Sequence, residues 1–273
     1  MELVVLGSGS PLPDPDRAGP ATLVRAGGLD LLFDCGRGVL LRAAAAGTGP
    51  PALRAVLLTH LHSDHVTDFN DVFTMRWAMS PAPNPLTVIG PPGTGDFVDA
   101  TAAMLAPDIG YRRAHHDDLD WDPPTEVTEA TEGVVLDESG VRVVAAPTDH
   151  RPVQPTVGYR VEADGTTVAI AGDTVPCAGL DELCRDADVY VQTVIRRKLV
   201  EAVPVPRLQD ILDYHSDTED AGRTASKAGV RTLVLNHLVP APSPGTEQEW
   251  IDEAAAHFDG EIVVAHDLLS ITV

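Results

Sequence analysis

Apolar residues along this chain come in short bursts rather than long periodic runs. The bursts at residues 2–6, 21–25, 30–34, 55–59 and 86–89 are too short for stable helices and rich in Val, Leu and Ile, so they read as strands. A Gly/Ser/Pro loop fills residues 7–20. Helical spacing marks residues 38–46, 68–79 and 94–105, the second of these stopped by Pro81, Pro83 and Pro85. The second half repeats the style. Strands are predicted at 141–146, 188–191, 231–235, 261–264 and 269–273, and a hairpin joins 156–162 to 167–171 around Asp164-Gly165. Helices are predicted at 178–186, 208–214, 218–228 and 246–257. Residues 107–133 are acidic, polar and Pro-containing and receive no assignment. No linker-like segment interrupts the chain. The pattern therefore predicts one α/β unit over residues 1–273, built from two similar halves of roughly 1–135 and 136–273, with two sheets face to face and helices outside.

Composition narrows the class. With 44% hydrophobic residues the 273-residue chain has material for a sizeable core. No apolar run reaches the roughly 18 residues of a membrane span, and the start, Met1-Glu2-Leu3, lacks the basic region of a signal peptide. The three cysteines, Cys35, Cys177 and Cys184, have no metal-like spacing and fit a reduced, cytoplasmic protein. Nineteen basic against 41 acidic residues give a net charge of −22. Phosphate neutralisation supplies most nucleic-acid affinity, and only Arg112-Arg113 and Arg196-Arg197-Lys198 form basic clusters. The charge thus predicts a small ester substrate and disfavours nucleic acid and membrane as partners.

The densest chemistry is Thr59-His60-Leu61-His62-Ser63-Asp64-His65, directly after an apolar strand. Alternate side chains of an extended segment share a side, so His60 and His62 can grip one ion, while Asp64 and His65 follow where the chain can turn toward a second. Three further candidates also follow apolar strands: His150, Asp173 and His237. One strand-end histidine is usually structural; ligand types recurring after several separate strands point to a shared metal site.

The segments THLHSDH, TDH, AGDT and LVLNH, with the opening VVLGSGSPLPDPDRAGPATLV and FDCGRG, resemble the successive motifs of the metallo-β-lactamase superfamily. Within it the chain looks most like the branch of arylsulfatase-type hydrolases and the transfer-RNA 3′-processing enzymes. The resemblance implies a four-layer αββα sandwich and two metal ions per chain, zinc first, with manganese or iron as alternatives. His60, His62 and His150 would hold one ion, Asp64, His65 and His237 the other, and Asp173 would bridge both. A hydroxide between the ions would be the nucleophile, with Asp64 a catalytic carboxylate as well as a ligand. The resemblance also implies a homodimer. Tyr214-His215-Ser216 resembles a leaving-group motif of the transfer-RNA enzymes, which makes His215 the candidate for protonating the leaving oxygen.

Two departures shape the expected substrate. Where the family has a histidine–glutamate pair after a strand, this chain has Gln192-Thr193, which cannot relay a proton at neutral pH. The substrate-clamping arm, inserted in many bacterial transfer-RNA enzymes between the third histidine motif and the bridging aspartate, has no room between His150 and Asp173. With the net charge, these features favour a dinuclear hydrolase of a small phosphodiester or sulfate ester. A lactonase or carboxylic-ester hydrolase is the alternative; transfer-RNA processing and a non-catalytic metal-binding role rank below. Met75, Trp77 and Met79 could wall a pocket or belong to the core, and the 196–198 cations could meet an anion or simply be solvated. His115 and His116 lack strand context and stay unassigned.

Overall fold

A computed structural model describes residues 1–273. Its strands are β1 Glu2–Gly7, β2 Ala21–Ala26, β3 Leu29–Phe33, β4 Leu53–Leu57, β5 Leu86–Gly90, β6 Thr125–Glu129, β7 Gly133–Glu138, β8 Val141–Pro147, β9 Val157–Ala163, β10 Thr166–Ile170, β11 Val189–Ile195, β12 Thr232–Val239, β13 Glu261–Val264 and β14 Leu269–Thr272. Helices α1 Val39–Ala45, α2 Ser63–Val66, α3 Phe69–Ala78 and α4 Thr94–His115 belong to the first half. Helices α5 Ala178–Cys184, α6 Arg197–Glu201, α7 Pro206–Gln209, α8 Thr218–Ala228 and α9 Glu247–Ala255 belong to the second.

Two seven-stranded sheets form, in the orders β14-β1-β2-β3-β4-β5-β6 and β13-β12-β11-β10-β9-β8-β7. Alternation along each strand decides what lies between and outside them. In β4, Leu57 joins the core shared by both sheets, where Leu3, Val24 and Phe33 meet Val143, Tyr159 and Val191. Its neighbour Val56 points the other way, into a second core under α1, α3 and α4. A third core lies outside the other sheet, where Tyr190 and Leu235 pack under Leu180 of α5, Ala225 of α8 and Trp250 of α9. Three cores between four layers are the αββα sandwich expected for this fold. No helix is long and apolar enough to cross a membrane.

Local boundaries shift where tertiary packing overrides pattern. Helix α4 continues to His115, with Pro107 inside it, through residues that carried no apolar signal. The expected helix at 208–214 is instead the four-residue α7 followed by a 3-10 turn over Asp210–Asp213. The expected Met75–Trp77–Met79 stripe splits: Trp77 is core, its Nε1 donating to the Trp121 carbonyl at 3.0 Å, and Met79 is on the surface.

Arg76, next to Trp77, is an interior cation without a carboxylate partner. It donates to the carbonyls of Pro50 (2.8 Å), Asn84 (3.1 Å) and Pro85 (2.8 Å), to that of Leu53, and to Asn84 Oδ1 (2.8 Å), tying α3 to the entries of β4 and β5. Truncation would leave several buried acceptors unpaired. Arg76→Leu is expected to lose about 3 kcal/mol of stability, read from urea denaturation. A midpoint equal to that of the wild type would show that water or neighbouring donors replace the guanidinium.

Candidate metal centre

β8, β10 and β12 run parallel to one another, so their carboxyl ends open on one edge of the second sheet. His150 and Asp173 follow the first two, and His237 lies near the carboxyl end of β12. The end of β4 in the facing sheet brings His60, His62, Asp64 and His65 to the same place, the last two on α2. Every ligand candidate from the sequence converges here. The donor atoms of His60, His62, His150 and Asp173 lie within 4.8 Å of one another, as do those of Asp64, His65 and His237.

The separations suit cations. His62 Nδ1 is 3.1 Å from His60 Nε2 and 3.3 Å from His150 Nε2, and Asp64 Oδ2 is 3.1 Å from His237 Nε2. Asp173 Oδ2 lies between the groups, 3.8 Å from both His60 Nε2 and His150 Nε2, 3.4 Å from His65 Nε2 and 3.7 Å from His237 Nε2. Ligands on a tetrahedral zinc at ~2.0–2.1 Å are about 3.3 Å apart. Three imidazole lone pairs aimed at one another repel unless a cation sits among them. Two buried atoms at the centre, His65 Nε2 and Asp173 Oδ1, also have no hydrogen-bond partner. Buried polar atoms are rarely left so, and both are metal-ligand types. The donor set, nitrogen and oxygen without sulfur, therefore fits a dinuclear metal site.

The electrostatics divide the histidines. Burial pulls the His60 imidazole far down and that of His150 down to about 4, so both present lone pairs at neutral pH. Burial also opposes protonation of His65 and His237, but the nearby carboxylates outweigh it and push both imidazoles up, Asp173 acting on each. Burial alone would raise the Asp173 carboxyl; His237 and His65 hold it well below the usual carboxylate range. A cation held here would therefore compete with protons for His65 and His237.

The outer nitrogens are fixed by groups that sequence reasoning missed. Asp34, at the end of β3, accepts from His65 Nδ1, Thr59 N and Thr59 Oγ1, each at 2.8 Å. Thr59 Oγ1 in turn lies 3.0 Å from His60 Nδ1. Asp34 thus sets the ring orientation of two cluster histidines. The signal was available: Asp34 follows an apolar strand, as every ligand candidate does. His150 Nδ1 donates to the Tyr214 carbonyl at 2.8 Å. Asp34 (φ 60°) and His237 (φ 48°) adopt the left-handed backbone that most residues avoid, and such strain persists where the surroundings enforce it. Gly172, before Asp173, has no alternative: a Cβ there would lie 2.7 Å from the Cβ of Thr59.

His215 reaches the cluster, its Nε2 3.3 Å from Asp173 Oδ2 and its Nδ1 3.1 Å from the Ile211 carbonyl. Gln192 does not. On β11 it shares a face with Tyr190, turned toward the helices, where it accepts from Tyr190 Oη and donates to its own strand at the Thr193 carbonyl. The 196–198 cations are structural as well: Arg196 binds Glu249 and Glu253, and Arg197 binds Asp217 at 2.7 Å. His115 and His116 end α4, exposed and outside the cluster.

The description "Beta-lactamase superfamily domain" matches residues 30–238. Over 275 aligned positions the chain is 56% identical to Ribonuclease Z of Mycolicibacterium paratuberculosis and 54% identical to Ribonuclease Z of Mycobacterium tuberculosis, each alignment covering 100% of this chain and 98% of the relative. The solved metallo-β-lactamase fold protein YhfI from Bacillus subtilis has a TM-score of 0.74 at 22% identity, covering 99% of this chain and 98% of that one. Human tRNase Z, short form, has a TM-score of 0.70 at 22% identity, covering 100% and 99%. At such identity the structures speak for the fold alone.

Kinship with ribonucleases corrects two expectations. A small phosphodiester or sulfate ester as substrate, with the lactone alternative, and the exclusion of nucleic acid as a partner do not stand. The arylsulfatase-type placement finds no support among these relatives either. The physical reasons are plain. A net charge of −22 is a property of the whole surface and says nothing of one edge. The missing arm does not discriminate, because an alignment that covers 98% of the relative leaves no room for a long arm there. The Gln192 side chain is turned away from the reacting centre. A superfamily match over residues 30–238, full-length relatives above half identity and a cluster that fits two cations place this chain, a metal-dependent hydrolase, in the β-lactamase superfamily and, within it, in the Ribonuclease Z family.

Proposed function

We propose that this chain is an endoribonuclease that cleaves transfer-RNA precursors on their 3′ side, using two zinc ions. The observation that carries the reading is identity of 54–56% to proteins named Ribonuclease Z along the whole length of both partners, joined to a complete seven-residue cluster. His60, His62 and His150 would hold one ion and Asp64, His65 and His237 the other, with the Asp173 carboxylate placed beside both groups. When bound, the paired ions supply Lewis acidity that lowers the pKa of water and offsets charge at the attacked phosphorus.

The remaining chemistry belongs to the side chains. Asp64, whose Oδ2 faces His237 Nε2 at 3.1 Å as a ligand atom, accepts the proton of the attacking water through its other oxygen. The Ile211 carbonyl accepts from His215 Nδ1–H, so it is the doubly protonated ring, with its Nε2–H 3.3 Å from Asp173 Oδ2, that gives its Nε2 proton to the departing ribose oxygen and is left neutral. The half-buried His62 marks the cluster's open side, while His60, His65 and His237 close its floor against water.

The test is cleavage of a 3′-extended transfer-RNA precursor by zinc-loaded protein. One cut per precursor, with Asp64→Ala at least 10³-fold slower, is the expected result. Precursor left intact by protein that hydrolyses bis(p-nitrophenyl) phosphate would overturn the reading.

A further inference from the structure

An RNA cleaved at this edge must meet positive charge somewhere on an acidic protein. Most exposed cations are already neutralised by a carboxylate: Arg113 by Asp122, Arg151 by Asp149, Arg231 by Asp188, and others in the same way. Among exposed Lys and Arg residues, Arg37, Arg185 and Arg207 alone have no carboxylate oxygen within 4.0 Å. The Arg37 guanidinium has one polar contact, with the Pro11 carbonyl at 3.5 Å.

Topology places these three cations. Arg37 follows the carboxyl end of β3, which is parallel to β4 and so opens on the edge that carries His60 to His65. Its loop packs directly on that segment: Cys35 N donates to the His65 carbonyl at 2.6 Å, and Gly38 N donates to Asp68 Oδ2 at 2.5 Å. Arg207 lies on α7, in the segment between the carboxyl end of β11 and His215, so it belongs to the same edge of the opposite sheet. Arg185 precedes the amino end of β11 and lies at the far edge.

We propose that Arg37 and Arg207 are phosphate contacts for the RNA, one from each sheet, holding the strand across the metal cluster; the inference rests on the ribonuclease reading above. A guanidinium without a carboxylate partner binds phosphate with no internal ion pair to break first. Two such groups on opposite sheets suit a chain that must extend on both sides of the cut. The contacts are to backbone phosphate and indifferent to base sequence.

The experiment measures precursor cleavage by zinc-loaded Arg37→Ala, Arg207→Ala and Arg185→Ala, with KM and kcat separated and the salt dependence of kcat/KM recorded. Arg37→Ala and Arg207→Ala are each expected to raise KM about 10-fold and reduce the salt slope by about one, alike for different precursors. Their kcat at saturating RNA should be unchanged, Arg37→Lys should recover most of the loss, and Arg185→Ala should match the wild type. A KM shift no larger than that of Arg185→Ala, or a loss confined to kcat, would overturn the proposal while leaving the ribonuclease reading intact. Wild-type protein that cleaves a model phosphodiester and no precursor would remove both.

Discussion

Asp173→Asn is expected to reduce precursor cleavage by roughly 10³-fold or more, the loss of several kcal/mol of transition-state stabilisation. The swap removes one atom's worth of chemistry. Asp173 Oδ2 stands within 3.8 Å of the Nε2 atoms of His60, His65, His150 and His237, and 3.3 Å from that of His215. An amide at that position offers one oxygen instead of two and turns an N–H toward donors that need an acceptor or a cation. Its neutrality also removes the charge that helps hold protons on His65 and His237. Elemental analysis should find fewer than two metal ions per chain, while the far-ultraviolet circular dichroism stays that of the wild type, since the side chain lies at the edge of the sandwich and outside its three cores. Full metal content with wild-type turnover would show that Asp173 does not join the two ion sites.

How much of this was written in the sequence differs between the site and its use. The cluster was legible because each member follows a run of apolar residues, and a buried strand has few places to put its next polar side chain except at the sheet edge. The linear pattern points to one shared site for His150, Asp173, His237 and His60–His65; which of them go together is what the superfamily resemblance implies, and the parallel run of β8, β10 and β12 makes the edges coincide. Asp34 carries the same signal but stands alone, far in sequence from the histidines it orients. Gln192 is the opposite case. Its position in a motif suggested the site, but strand alternation, which sequence also contains, places it on the face of Tyr190 and away from the metals.

Substrate class was less legible because it depends on where charges lie once paired. The sequence shows 19 basic residues among 41 acidic ones; it does not show that Arg196 and Arg197 are spent on Glu249, Glu253 and Asp217 while Arg37 and Arg207 are not. The basic run at 196–198, which by sequence could meet an anion or simply be solvated, is a structural clasp. Isolated arginines at 37 and 207 gave no signal, since only the folding of β3 and β11 brings them to one edge.

Asp34→Ala should produce the second large effect and separate positioning from catalysis. Removing the carboxylate leaves Thr59 N, Thr59 Oγ1 and His65 Nδ1 without their acceptor in a buried setting, so about 2 kcal/mol or more of stability should go. The larger consequence falls on the metal. His65 loses the bond that fixes its ring, and His60 loses the far end of the chain through Thr59; outer partners of this kind are worth ~10–100-fold in metal affinity. Because His60 and His65 are assigned to different ions, both sites should weaken, unlike the outcome of disturbing one ligand. Asp34 belongs to neither ligand group, so activity at limiting zinc should fall steeply and return toward wild type as zinc is raised, with KM for the precursor unchanged. Asp34→Asn should fall between the two, since its single oxygen can serve the Thr59 pair or His65 but not all three. If excess zinc restores nothing to either variant, Asp34 acts on the reaction itself or on folding, and its role as the anchor of the two histidines is wrong.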